Sequence, residues 1–414
     1  MLAEVVLPGA VVPGTVLEGA VSVDDDPPVA PELPDEHAAP RTRNASPNEE
    51  TRSPRFDTAP SSQLVAPNSC DPTQPTGWHA VDASQGGLVR NVAEDLRVPF
   101  DAMRALVTGG AGFIGSHIVD ALLARGDEVV VLDDLETGFR ENVEAQARLL
   151  IGSVADEAAV RDAVRGCDVV FHQAAHKAVM RSIESPLATD TVNVHGTLTV
   201  LQAAVDAGVG RVVHASSSSV YGGATRLPTP EDETMLPRSP YAVSKLAAEH
   251  YCRVFTELHG LETVALRYFN VYGPRQRPDA TYAAVIPLFV DALLAGRSPK
   301  VYGDGLQSRD FTYVSDVVDA NLAAAGAVGA TSSGRVYNIA GGASWTLLDI
   351  LGTLGALLGV EPRPTFMDSR PGDVRHSRAD ASRAASDLGF RCRVDLQEGL
   401  RRTVDWLRSI PAKV

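Results

Sequence analysis

The last 312 of the 414 residues predict an α/β fold: a doubly wound parallel sheet with a smaller C-terminal α/β lobe. Three observations carry this. From Met103 onward, short Val- and Leu-rich runs without polar alternation recur (RALVTGG, EVVVLDD, RLLIG, DVVFHQAA, RVVHASS, ETVALRYFN), as suits strands buried on both faces. Segments of helical period separate them, so each strand returns parallel through a right-handed crossover. A glycine-rich turn joins the first strand to the first helix.

In chain order, helices are expected over 112–125, stopped by Gly126, and 156–165, stopped by Gly166, then over about 186–207 and 240–259. Beyond Gly273 come a helix near 284–295, extended pieces KVYG and RDFTYV, and helices near 315–327, 346–358, 379–388 and 396–408. The expected division is a nucleotide-binding domain over 103–275 and a substrate lobe over 276–414, partly interleaved with the first.

Residues 1–102 differ in kind. They hold 14 of the 27 prolines and 16 acids against 6 bases, net −10 of the chain's −15, with little hydrophobic periodicity. Such a segment buries too little surface to repay ordering, and a disordered acidic extension is expected. Its opening stretch lacks a basic n-region and is broken by Pro8 and Pro13, which fits neither a signal peptide nor a membrane span. Residues 103–414 count 36 acids to 31 bases with no basic run, which excludes a nucleic-acid footprint. Cys70, Cys167, Cys252 and Cys392 stand far apart with no CxxC pair, so neither a disulfide framework nor a zinc site is expected, and a reducing cytoplasm fits.

TGGAGFIG, Thr108 to Gly115, follows the first strand and opens a helix. Glycines at 109, 112 and 115 permit a tight turn, approach of backbone to a pyrophosphate, and close helix–strand packing, with the helix N-terminus facing the anion. The spacing GxxGxxG is one residue wider than the usual dinucleotide fingerprint. Asp133, eighteen residues past Gly115 at the end of the second strand, can accept both ribose hydroxyls and repels a 2′-phosphate, so a Rossmann-type site for NAD rather than NADP is expected. SPYAVSK sits at a helix start and puts Tyr241 and Lys245 on one face, four residues apart. Using that phenol as a base near neutrality needs a fall of about 3 units from about 10, which a neighbouring ammonium and a cationic ring supply.

TGGAGFIG with Asp133, SSSSVYG, YAVSK, RYFNVYGPRQ, VYGDGLQSRDFTYVSDV and SRPGDVRHS, in order over about 103–409, resemble the extended short-chain dehydrogenase/reductase superfamily, specifically its nucleotide-sugar 4-epimerases. The resemblance implies 4-epimerisation of a UDP-hexose with NAD reduced and reoxidised in each cycle, and no metal. It places Tyr241 as the base at the sugar 4-hydroxyl, Lys245 beside it, and Ser217, four before Tyr221, on the 4-oxygen, with Ser218 in reserve and Ser216 structural. Cofactor contacts would come from Gly109, Gly112, Phe113, Ile114, Gly115, Asp133, Val154, Lys177, Asn193, Tyr241, Lys245 and Tyr268. Substrate contacts would come from Ser217, Ser218, Asn270, Arg309, Arg370, Asp373 and Ser377. A small residue at 377 implies room for UDP-N-acetylglucosamine beside UDP-glucose and UDP-galactose. Ser153 departs from an aspartate usual in the family. Related dehydratases and decarboxylases carry an acid right after the active-site Ser/Thr, where this chain has Ser218 and Ser219; a UDP-glucuronate 4-epimerase shares ASSSSVYG and is the nearer rival. A non-catalytic NAD-binding protein would need neither Tyr241 nor Lys245. A homodimer joined through the long helices near 186–207 and 240–259 is also implied.

Overall fold

The computed structural model describes residues 102–280, 282–369 and 374–410. The expected N-terminal extension therefore lies outside the described residues, as do Arg370 and Asp373.

Seven parallel strands form the central sheet: β1 (Arg104–Thr108), β2 (Glu128–Asp133), β3 (Arg148–Ile151), β4 (Val169–His172), β5 (Arg211–Ser217), β6 (Glu262–Tyr268) and β7 (Arg335–Ile339). Their order is β7-β6-β5-β4-β1-β2-β3, with every neighbouring pair parallel. The order reverses at β1, between β4 and β2, so the crevice at the carboxyl ends of these strands is where such a sheet receives a ligand. One expectation fails at the edge. RLLIG read as a strand covered on both faces, but β3 has a neighbour on one side only and leaves Ile151 60 % exposed.

Helices α1 (Phe113–Arg125), α2 (Glu157–Val164), α3 (Val179–Glu184), α4 (Pro186–Asp190), α5 (Gly196–Ala207), α6 (Pro240–His259), α7 (Val285–Leu294) and α8 (Val314–Gly326) accompany the sheet. Each end has a local cause. Gly126 at φ 92° closes α1, Asp156 caps α2 through Ala158 and Ala159, and Gly260 at φ 70° closes α6. The single helix expected over 186–207 is interrupted by a π turn at Thr191–His195, which puts Asn193 inside the core at 1 % exposure. The helix expected from 379 starts instead at Ser382. The Ala379 N–H donates to Asp310 Oδ2 and the Asp380 N–H to Thr229 O, so this backbone is committed to tertiary pairing.

Alternate residues of the strands feed two cores. Val107, Val131, Phe171, Val213, Val264 and Leu266 meet α1 and α8, whereas Leu106, Val130, Val170 and Val212 meet α2 and α5. β7 and α8 come from beyond residue 275 and belong to the first of these cores. A third core joins α7 to helices Leu347–Leu358 and Leu396–Ser409 through Phe289, Ile350, Leu354, Leu400 and Val404. Among the described residues no helix is long and apolar enough to cross a membrane.

Candidate active site

The turn after β1 is packed to the limit. A Cβ on Gly109 (φ +70°) would meet Ala174 N at 2.7 Å, and one on Gly115 would meet Gly109 O at 2.2 Å. Only glycine lets β1 and α1 approach this closely. No side chain caps α1 at Gly112, so its first-turn N–H groups are open to an anion. Asp133 closes the turn from β2: its carboxylate accepts from Ala111 N at 2.9 Å and from Leu135 N at 2.8 Å. Burial raises its pKa, and these two bonds pull it back. Gly109, Gly112, Phe113, Ile114, Gly115, Asp133, Val154, Lys177, Tyr241, Lys245 and Tyr268 line a cavity of about 160 Å³. The cradle, the open helix end and a carboxylate at ribose distance in sequence fit a dinucleotide.

α6 begins beside this cavity. Ser239 Oγ accepts from Ala242 N at 3.1 Å, Pro240 occupies the first helical position, and Tyr241 and Lys245 follow on the inner face. Lys245 is 3 % exposed and its Nζ donates to Ala215 O at 2.8 Å. Burial lowers the ammonium to about 8, against the opposing pull of Cys252 and Glu249. The Tyr241 phenol is raised by burial, and a hydrogen bond with Ser217 offsets part of the rise. The fall that a base requires is therefore not intrinsic to the protein's own groups.

The four serines separate by function. Ser216, 3 % exposed, donates to Glu249, which pairs with buried Arg267 through bonds of 2.8 and 2.7 Å. Ser217 ends β5 and accepts from the Ser219 N–H at 3.2 Å and the Ser219 hydroxyl at 2.9 Å, so its own proton is not committed to Ser219. Ser218 lines the larger cleft. Sequence reasoning missed the Glu249–Arg267 pair, although Glu249 lies four residues past Lys245 on the same helix and Arg267 directly precedes Tyr268.

Tyr268 is locked in a three-membered ring. Its hydroxyl donates to Gln173 Oε1 at 3.2 Å and accepts from Asn321 Nδ2 at 2.8 Å, while Gln173 Nε2 donates to Asn321 Oδ1 at 3.1 Å. Burial pushes its pKa to about 12. Asn193 lines neither cavity. It sits behind the wall, accepting from His176 N at 2.8 Å and donating to His176 O at 3.2 Å and Ser244 Oγ at 2.9 Å. Thr197 Oγ1 donates to Asn193 O, so it accepts from His172 Nε2, and His172 Nδ1 accepts from Thr108 Oγ1. That imidazole is neutral, with burial holding it near pKa 3. The Lys177 amine, desolvated at the cleft wall, titrates below the ordinary lysine value.

Ser217, Ser218, Tyr241, Tyr268, Asn270, Arg309 and Ser377 all line a larger cleft of about 1110 Å³ adjoining the first cavity. Asn270 takes a left-handed φ of 31° and its Nδ2 donates to Asp310 O at 2.8 Å. Arg309 Nη1 donates to Ser308 O at 2.9 Å. The Ser377 N–H donates to Ser308 O at 3.0 Å, and its hydroxyl is buried with no partner among the described residues. The described carboxylates lining this cleft are Glu136 and Asp279. Each is ion-paired, Glu136 with Arg181 and Asp279 with Arg277, and Glu136 also accepts a hydrogen bond from His176.

Comparisons with known proteins identify the family. The model of the NAD dependent epimerase/dehydratase family matches residues 105–340. A UDP-glucose 4-epimerase of Mycolicibacterium smegmatis is 41 % identical over 314 residues, 74 % of this chain and 99 % of that protein. The UDP-N-acetylglucosamine 4-epimerase of Methanobrevibacter ruminantium, solved in complex with UDP-N-acetylmuramic acid, superposes with a TM-score of 0.71 at 39 % identity, covering 75 % of this chain and 99 % of that one. The Thermus thermophilus UDP-glucose 4-epimerase complex with NAD gives 0.69 at 39 % identity over 74 % and 99 %. Further relatives at 34–37 % identity are named dTDP-glucose 4,6-dehydratase and UDP-N-acetyl-alpha-D-glucosaminuronate decarboxylase.

Proposed function

Because this chain belongs to the NAD-dependent epimerase/dehydratase family, we propose that it is a nucleotide-sugar 4-epimerase interconverting UDP-glucose and UDP-galactose through a 4-keto intermediate, with space for UDP-N-acetylglucosamine. The carrying observation is the lack of an unpaired acid among the described residues of the cleft. Dehydration across C5 and C6 needs a carboxyl group to move protons beside the active-site hydroxyl. Ser218 and Ser219 stand there instead, and both described cleft carboxylates are engaged by cations.

The glycine turn, the open end of α1, Asp133, Val154 and Lys177 would hold NAD, with Asp133 refusing a 2′-phosphate. Bound NAD supplies a hydride acceptor and donor for the sugar C4, so no net redox change results. Tyr241 accepts the proton of the 4-hydroxyl and later returns it. Ser217, whose hydroxyl faces the phenol closely enough to oppose the rise in its pKa, holds the 4-oxygen and relays that proton. Lys245 adds positive charge that favours the phenolate. Asn270 and Arg309, with Arg370, bind the diphosphate, where guanidinium and phosphate make charge-assisted bonds. Asp373 takes the uridine ribose. Ser377 leaves the volume that an N-acetyl group would fill.

One observation favours a second reading, UDP-glucuronate 4-epimerase. Arg238 lines the cleft beside Gly222 and has no ion-pair or hydrogen-bond partner among the described residues, a cation available to a sugar carboxylate. Incubating the protein separately with UDP-glucose, UDP-N-acetylglucosamine and UDP-glucuronate and resolving products by chromatography tests the proposal. A 4-epimer of UDP-glucose supports it; a dehydrated sugar or released carbon dioxide overturns it.

A further inference from the structure

We propose that Glu136, His176 and Arg181 form a clasp that retains the dinucleotide between turnovers, an inference that rests on the NAD-dependent reading above. Glu136 lies on the loop after β2, three residues beyond Asp133. His176 lies on the loop after β4, and Arg181 on α3. In the sheet, β2 and β4 flank β1 on either side, so these two segments border the glycine turn from opposite sides.

The bridge between them is made by side chains distant in sequence. Glu136 Oε2 accepts from His176 Nε2 at 3.0 Å, and Oε1 accepts from Arg181 Nη2. Glu136 and His176 line both the small cavity and the large cleft, and Arg181 lines the cleft, so the bridge stands where the two meet. Tyr241 also lines both spaces, so a dinucleotide reaching from the glycine turn to Tyr241 runs alongside this junction.

His176 is held firmly on its own side, its backbone fixed by the Asn193 amide from within the π turn. With Nε2 donating to the carboxylate, Nδ1 of a neutral ring is an acceptor. It is buried and has no partner among the described residues, which suits a ligand hydroxyl.

A chemistry that takes hydride from and returns it to one substrate gives the cofactor no reason to leave, and a bridge over its site lowers the rate at which it does. The Glu136–Arg181 ion pair is partly exposed, with side-chain accessibilities of 49 % and 25 %, beside the His176 side chain at 10 %. Its contribution is therefore modest and screened by salt.

The test measures release of NAD from the purified full-length protein after dilution, for wild type, Glu136→Gln, and the charge-swapped pair Glu136→Arg with Arg181→Glu. Glu136→Gln is expected to release NAD about three- to tenfold faster. Wild-type release should quicken with salt more steeply than that of Glu136→Gln, and the swapped pair should regain part of the retention. Equal release rates for wild type and Glu136→Gln, or a faster rate whose salt dependence matches wild type, overturn the clasp. Wild-type protein that neither carries NAD nor binds it when added overturns the cofactor reading itself.

Discussion

Lys245 Nζ donates to the carbonyl oxygen of Ala215 at 2.8 Å, tying α6 to β5 two residues before Ser217. This lysine is about 8 when folded against a reference of 10.5. Between those values the unfolded chain binds more protons than the folded one, so this group adds stability as pH rises from about 8 to 10.5 and is flat below. Thermal unfolding of Lys245→Met across that range should lack the wild-type rise. Its turnover should fall about 100-fold or more.

Glu249 and Arg267 are 5 % and 1 % exposed and bonded at both carboxylate oxygens. Removing one charge strands the other. Glu249→Gln is expected to cost about 3–5 kcal/mol in urea unfolding, while Glu249→Leu with Arg267→Met recovers most of it. Because Glu249 also accepts from Ser216, next to Ser217, the single variant should lower kcat as well.

Ser377 lines the cleft with a small side chain. Ser377→Tyr should reduce kcat/KM for UDP-N-acetylglucosamine by about 10- to 200-fold relative to UDP-glucose. An unchanged ratio would place the 2-substituent elsewhere.

Of the helices α3 to α6, it is α3, α4 and α6 that carry exposed large apolar side chains, whereas the inner face of α5 is buried. Val243, Tyr251 and Leu258 form one stripe of α6, beside Met180, Ile183 and 82 % exposed Leu187. We expect the protein to sediment as a dimer through this face, and Val243→Asp with Leu187→Asp to yield a folded monomer. A wild-type monomer would refute the arrangement.

Six strands of the sheet and most helices were legible because buried parallel strands and capped helices leave local signatures. β7, from RVYNI, carries no such signature, since only pairing with β6 makes that short stretch a strand of the central sheet. The π turn at Asn193 and the late start at Ser382 depend on partners from other elements, which no periodicity records. The same holds at the site. Gly109 to Gly115, Asp133, Ser217, Tyr241 and Lys245 lie in linear motifs and converge on adjoining cavities. Glu136 with His176 and Arg181, and Gln173 with Tyr268 and Asn321, become clusters only through the order of the strands.

The central claim is that Tyr241 carries the proton of the 4-hydroxyl. The most direct measurement compares wild type and Tyr241→Phe for bound NAD and for conversion of UDP-glucose to its 4-epimer. Equal NAD content and a loss of epimerisation of about 100-fold or more are expected in the variant. Conversion by Tyr241→Phe at the wild-type rate would contradict it.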